Sequence, residues 1–211
     1  MFEIENLKFK HILHMEHLCI DRQITCITGP SGSGKTTFLR MLNRLNDPDE
    51  GKILWNGVDI SQMNATELRR KVVMLKQTPV VYAGTIEDNL QIGLQFSKKA
   101  LATQAKLKEY LQKVQLNKQL DESVAKLSGG EKQRLCLARI MLMDAEVYLL
   151  DEPSSALDKD TENFVIENMV QFVKEKDKTL IMVTHSPAVA KLYPESILEI
   201  KEGNCEGYTY E

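Results

Sequence analysis

A chain of 211 residues, 43% of them hydrophobic and 27% charged, is long enough to build one well-cored globular unit. Its formal net charge of −3 gives no reason to expect a nucleic-acid partner. No run approaches the roughly 18 apolar residues of a membrane span, and the N-terminal "MFEIENLKFK" alternates like a strand without the apolar centre of a signal peptide. The scattered Cys19, Cys26, Cys136 and Cys205 form no CxxC pair and read as reduced thiols of a cytosolic protein.

In chain order, "HILHMEHLC" clusters His11, His14, Met15, His17 and Cys19. As a strand it would send His14 and His17 to opposite faces, which argues against a shared metal. "QITCIT" (23–28) is a β-branched strand that runs into "GPSGSGKTT" and then the helical pattern "FLRMLNRL". "GKILWNGVDI" carries Asn56-Gly57, a strong hairpin signal. "KVVMLKQ" is a strand ending at Gln77. From 85 to about 143 the spacing is helical, with a lysine-rich stretch near 98–118 that reads as solvated. "VYLLDEP" is a buried strand ending in acids, 161–174 is helical, "TLIMVTH" is a second buried strand, and "SILEIKEGN" closes the chain. Strands alternating with helices predict an α/β core with a largely parallel sheet, interrupted by a helical insert.

Gly29-Pro30-Ser31-Gly32-Ser33-Gly34-Lys35-Thr36 is the P-loop pattern, lying between a strand and a helix as that pattern requires. The glycines let backbone amides from Ser31 to Thr37 curl around phosphate oxygens. Lys35 would then reach the β- and γ-phosphates and the Thr36 hydroxyl would ligate Mg²⁺. Asp151, at the end of a strand, suits the same Mg²⁺, and Glu152 beside it suits the general base that activates the attacking water. In "LSGGEKQR" (127–134), Ser128 and Glu131 form a capping-box pattern, yet Gly129 and Gly130 sit in the first turn. Each costs ~1 kcal/mol relative to alanine, a burden that makes sense where another body approaches the helix tip.

Together these motifs resemble the ATP-binding cassette family. "LSGGE" precedes "LLDEP" at that family's spacing, Gln77 matches its Q-loop, "SSALD" (154–158) its D-loop, and His185 its switch histidine. The resemblance covers essentially the whole chain. It implies a P-loop NTPase (RecA-like) α/β core with an antiparallel β subdomain and an inserted α-helical subdomain, the core about 1–84 and 144–211 and the insert about 85–143. It also implies ATP and Mg²⁺ as ligands, Gln77 at the metal or the lytic water, His185 on the γ-phosphate, and Asp158 between two protomers. Ser128, Gly129 and Gly130 would cover ATP held by a second copy. An aromatic ring commonly stacks on adenine, and here "LKFKH" offers Phe9 or His11, depending on register; a glycine usual before the P-loop strand is absent from "IDRQITC".

The resemblance therefore implies a dimeric ATPase, peripheral on the cytoplasmic face of the membrane, that powers a separate permease. "ITGPSGSGKTT", "KQTPVVYAGTIEDNL" and "LSGGEKQRLCLAR" are similar to the small ATPases of iron-export transporters. A soluble iron–sulfur assembly ATPase is the alternative within the family.

Overall fold

In the computed structural model the described residues are 1–184, 190 and 197–209, the stretch 206–209 by backbone alone. The chain begins with β1 (Phe2–Phe9) and β2 (Leu13–Ile20), antiparallel to each other. β1 also pairs with β4 (Glu50–Trp55), which turns through Asn56-Gly57 into β5 (Val58–Asp59), giving one antiparallel sheet in the order β2-β1-β4-β5. The expected hairpin is present: φ is 51° at Asn56 and 79° at Gly57, the left-handed pair of a type I′ turn.

The second sheet has the order β10 (Asn204–Thr209), β9 (Ile197–Lys201), β3 (Ile24–Thr28), β8 (Thr179–Val183), β7 (Val147–Asp151), β6 (Val72–Leu75). All pairings are parallel except β9 with β10. "VYLLD" and "LIMV" are apolar without alternation because both faces of these central strands are covered. On one face Tyr148, Leu150, Leu180 and Met182 pack with α3 (Ile86–Phe96), α4 (Gln104–Lys113), α5 (Gly129–Leu142) and α6 (Lys159–Glu175). On the other, Leu149, Ile181 and Val183 pack with α1 (Lys35–Leu42) and the antiparallel sheet.

One element is new to the reading above and two local readings change. Residues 65–71 form a helix, α2 (Ala65–Lys71), capped by the Asn64 side chain on the amides of Thr66 and Glu67. The lysine-rich stretch is not wholly solvated: α4 buries Leu107, Tyr110 and Leu111, one apolar stripe at helical spacing. In β2 the buried positions are Leu13, Met15, Leu18 and Ile20, so the alternation slips by one residue and His14 and His17 are both exposed. The opposite-faces reading of those two histidines is thereby corrected. Among the described residues no helix is long and apolar enough to cross a membrane.

Candidate active site

The turn after β3 leads into α1 through Gly34, a cap that supplies no side-chain hydrogen bond to the helix N-terminus. The amides of that first turn, aligned with the helix dipole, therefore suit an external anion. The P-loop residues Ser31, Gly32, Gly34, Lys35, Thr36 and Thr37, together with Ile12, Gln77 and Glu152, line a cleft of about 350 Å³. Lys35 is buried, its Nζ donating to the Gly29 and Pro30 carbonyls at 2.9 and 2.7 Å. Burial lowers its pKa, while Glu152 and Asp151 pull the other way. Ser33 is buried and its Oγ has no hydrogen-bond partner among the described residues.

The Thr36 hydroxyl donates to Asp151 Oδ1 at 2.9 Å, joining the start of α1 to the end of β7. Burial raises the Asp151 pKa above the ordinary carboxylate value; the Thr36 hydrogen bond opposes the shift and the Glu152 charge reinforces it. A buried lysine and a buried carboxylate are thus both pushed toward their neutral forms, and a polyanion with a divalent cation would relieve both. Two hard oxygen donors are the chemistry Mg²⁺ prefers, and an uncapped helix start with an orphan hydroxyl is the chemistry phosphate prefers. The residues present fit both groups.

Glu152 follows with φ of 49°, the left-handed region that non-glycine residues rarely occupy. Its amide donates to the Val183 carbonyl at 3.1 Å. Its carboxylate Oε2 accepts from Gln77 Nε2 at 2.7 Å, so the Q-loop residue and the candidate base meet beside the P-loop, 75 positions apart in sequence. His185 lies outside the described residues.

The expected capping box is complete: the Ser128 hydroxyl accepts from the Glu131 amide at 3.3 Å, and Glu131 Oε2 accepts from the Ser128 amide at 2.8 Å. That hydrogen bond from the Ser128 amide is the main cause of the depressed Glu131 pKa. The Ser128 O–H can still donate outward. The two glycines differ. A Cβ on Gly129 would meet nothing within 4 Å, whereas one on Gly130 would lie 2.9 Å from the Ala156 carbonyl. Gly130 is required for packing within the chain, and Gly129 faces open space.

Phe9 is half-buried against the apolar core with Lys10 over its ring at 5.1 Å, and it does not line the cleft. His11 lines a neighbouring depression with Lys8, His14 and Glu202. The aliphatic Ile12 reaches the cleft instead, and no aromatic pattern marks it. Gln133 was also missed: buried in α5, it donates to the Glu152 carbonyl at 3.0 Å. No local pattern marks it, because the contact spans 19 positions.

A parallel sheet with a phosphate-cradling loop after one strand and paired acids ending another defines a P-loop nucleotide-binding ATPase. The comparisons narrow the class. A profile described as ABC transporter matches residues 16–155, and the chain belongs to that family as its ATP-binding cassette, the ATPase module. It is 40% identical over 203 residues to the phosphate import ATP-binding protein PstB of Pyrobaculum aerophilum, covering 85% of this chain and 80% of that protein. It is 44% identical over 161 residues to Protein STAR1 of Oryza sativa subsp. japonica, covering 76% of this chain but only 46% of the relative. In structure it is similar to the dimeric post-hydrolysis cassette MJ0796 bound to ADP and Pi, with TM-score 0.89, 26% identity, and coverage of 99% and 98%. It also matches 38% of a bacterial Atm1-family exporter with ATP bound, at TM-score 0.88 and 29% identity, over 98% of this chain.

Proposed function

We propose that two copies of this chain close around two Mg-ATP and that their hydrolysis drives a separate membrane permease. The observation that carries the reading is the convergence of Lys35, Thr36, Asp151, Gln77 and Glu152 on one cleft. In the proposed roles, P-loop amides and Lys35 bind the triphosphate, Thr36 and Asp151 hold Mg²⁺, and Glu152, aimed by Gln77, takes a proton from the attacking water. His185 is assigned to the γ-phosphate on sequence grounds. Ser128 and Gly129 cover the partner's nucleotide, a reading supported by the open space over Gly129 and by the dimeric cassettes this chain is similar to.

The permease is supported by an exposed apolar groove that shares no lining residue with the nucleotide cleft. Two adjoining hollows of about 260 and 310 Å³ share Met74, Lys76, Phe96, Ile140 and Met143. Val80, Tyr82 and Phe96 at this groove are 50%, 41% and 53% exposed, unusual for side chains of this size unless a partner covers them. Cytoplasmic, peripheral placement follows from such docking. For cargo, the three iron-export-like segments support export of a metal such as iron, whereas the PstB relatives are named for phosphate import. Iron and phosphate content of cells with and without the chain separates the two.

The testing experiment has two arms. Glu152→Gln is expected to bind Mg-ATP, lose at least about a hundredfold in turnover, and sediment as an ATP-held dimer. The unmodified chain, purified from detergent-solubilised membranes, is expected to bring down a polytopic protein. Near-normal turnover of Glu152→Gln removes Glu152 from the mechanism, and recovery of only soluble assembly proteins removes the permease.

A further inference from the structure

The interior of α5 holds an amide whose position has no packing explanation. Gln133 is 1% exposed, on a helix whose other buried residues nearby are Leu135, Cys136 and Leu137. Burying a primary amide among apolar side chains is unfavourable unless its polar atoms are used. One is used: Nε2 donates to the Glu152 carbonyl at 3.0 Å. The other, Oε1, has no hydrogen-bond partner among the described residues. A chain selected only for stability would place a leucine or methionine here.

The carbonyl it holds belongs to the residue with the left-handed backbone. The main-chain poles of Glu152 are both held, its N–H by the Val183 carbonyl of β8 and its C=O by Gln133 of α5 at 3.0 Å and, at a longer 3.3 Å, by the Ser155 amide, while its carboxylate meets Gln77. A left-handed φ at a glutamate persists only where the surroundings over-determine it. Hydrogen bonds on both peptide units that flank its Cα set the direction in which the carboxylate leaves the backbone. That direction decides whether a general base points at its water, where misplacement by about 1 Å can cost a hundredfold in rate.

We propose that Gln133 is a positioning residue that locks the backbone of Glu152, so that the helix whose tip covers one nucleotide sets the hydrolytic geometry at the other. The link rests on the proposed function, in which the Ser128 tip of α5 serves the partner's ATP while Glu152 serves its own chain's ATP. From Ser128 to Gln133 is five residues of continuous helix, about 7.5 Å of rise, with no glycine after Gly130 to absorb movement. A shift of the tip on contact with the partner's nucleotide is therefore carried to the Glu152 peptide. The unused Oε1 marks a side chain kept for its contact to Glu152 at the expense of its own hydrogen bonding.

The test replaces Gln133 with methionine, which keeps length and approximate volume and removes both polar atoms. Gln133→Met is expected to lower kcat about tenfold while leaving the KM for ATP and ATP-driven dimerisation within twofold, because phosphate contacts and the Ser128 cap are untouched. A merely structural role would show the reverse pattern: a lower melting temperature, a raised KM and weaker dimers. A double-mutant cycle supplies the second readout. In single-turnover hydrolysis, adding Gln133→Met to Glu152→Gln is expected to cost nothing further, since Gln133 acts only through Glu152. Gln133→Asn, which keeps the amide but is one methylene short, is expected to fall between the unmodified chain and the methionine variant, and it stands as the informative variant where methionine fails to fold. Unchanged kcat in the folded variants, or a further tenfold loss on top of Glu152→Gln, overturns the proposal. Normal turnover of Glu152→Gln alone overturns the proposed function as well, so the two failures are told apart by which single variant misbehaves.

Discussion

Gly203→Ala and Gly57→Ala are a matched pair in which the backbone cost is the same and only one substitution should reach the nucleotide. Gly203 lies in the β9–β10 turn with φ of 79°, after Glu202 at 48°; Gly57 lies in the β4–β5 turn with φ of 79°, after Asn56 at 51°. An alanine held in the left-handed region costs roughly 1–2 kcal/mol, so Gly57→Ala should melt about 2–8 °C lower for a domain of this size and Gly203→Ala at least as much. The surroundings differ. A Cβ on Gly57 meets nothing within 4 Å, whereas one on Gly203 lies 2.4 Å from the Ile12 carbonyl oxygen. The turn or the 10–13 loop must then move by about 1 Å to restore a normal contact, and the 2.8 Å hydrogen bond from the His14 amide to the Gly203 carbonyl is strained with it. Ile12 is 37% exposed and lines the nucleotide cleft. Full burial of such a side chain contributes ~1.5–3 kcal/mol, so covering its exposed third contributes ~0.5–1 kcal/mol, a two- to fivefold effect on ATP affinity. Competition of ATP against a fluorescent nucleotide should show that weakening for Gly203→Ala and none for Gly57→Ala. Inorganic triphosphate, which lacks a base, should compete equally in both. Equal ATP affinity of the two variants would refute the placement of the base against the Ile12 loop.

Two further predictions concern the dimer and acid. Lys35→Ala and Ser128→Arg should each be nearly inactive alone, while their mixture should trap ATP at about a quarter of its sites, because random pairing leaves half the dimers with one intact composite site; no trapping in verified mixed dimers would refute the action of Ser128 across the interface. Asp144 is surrounded by Lys176, Lys178 and Lys99. Partial burial alone would raise its pKa, but the three ammonium groups outweigh it and hold the carboxyl below its ordinary value of 3.8. A depressed folded-state pKa contributes stability above the ordinary value and loses it as pH falls through the folded one. Asp144→Asn should therefore melt lower at pH 7, by no more than about 3 °C because the group is well exposed, and the gap should close below pH 3.8; a gap constant across that range counts against the pairing.

What was legible in the sequence is what depends on near neighbours. The P-loop, the acids ending β7, the Asn56-Gly57 turn and the Ser128–Glu131 box each need only a few consecutive residues, and each is found where its pattern stands. The α4 stripe was also written in the chain, but six lysines from 98 to 118 mask three buried apolar positions in a composition reading. The β2 slip was not written locally: Asn6 takes a φ of 49° between the paired Glu5–His17 and Leu7–Met15, where the pairing of β1 with β4 shifts register between Glu5 and Lys8. Neither Ile12 at the cleft nor the Gln133–Glu152 bond has a local signature. One depends on which residue of a loop the C-terminal hairpin presses toward the P-loop, and the other on two elements meeting only after the sheet has formed.

The central strands form a party wall. Tyr148, Leu150, Leu180 and Met182 face one apolar cluster while Leu149, Ile181 and Val183 face the other, so each core is closed by the backs of residues that close its neighbour. Neither side can melt without stripping one face of β7 and β8, and a sheet bared on one face loses the burial that its continuous apolar strands require. The helical side and the antiparallel sheet, far apart in sequence, are thereby tied into one cooperative unit of unfolding. Asp151 ends one of those shared strands and Glu152 leaves it, so the two acids stand on the part of the molecule that should exchange its amide hydrogens last.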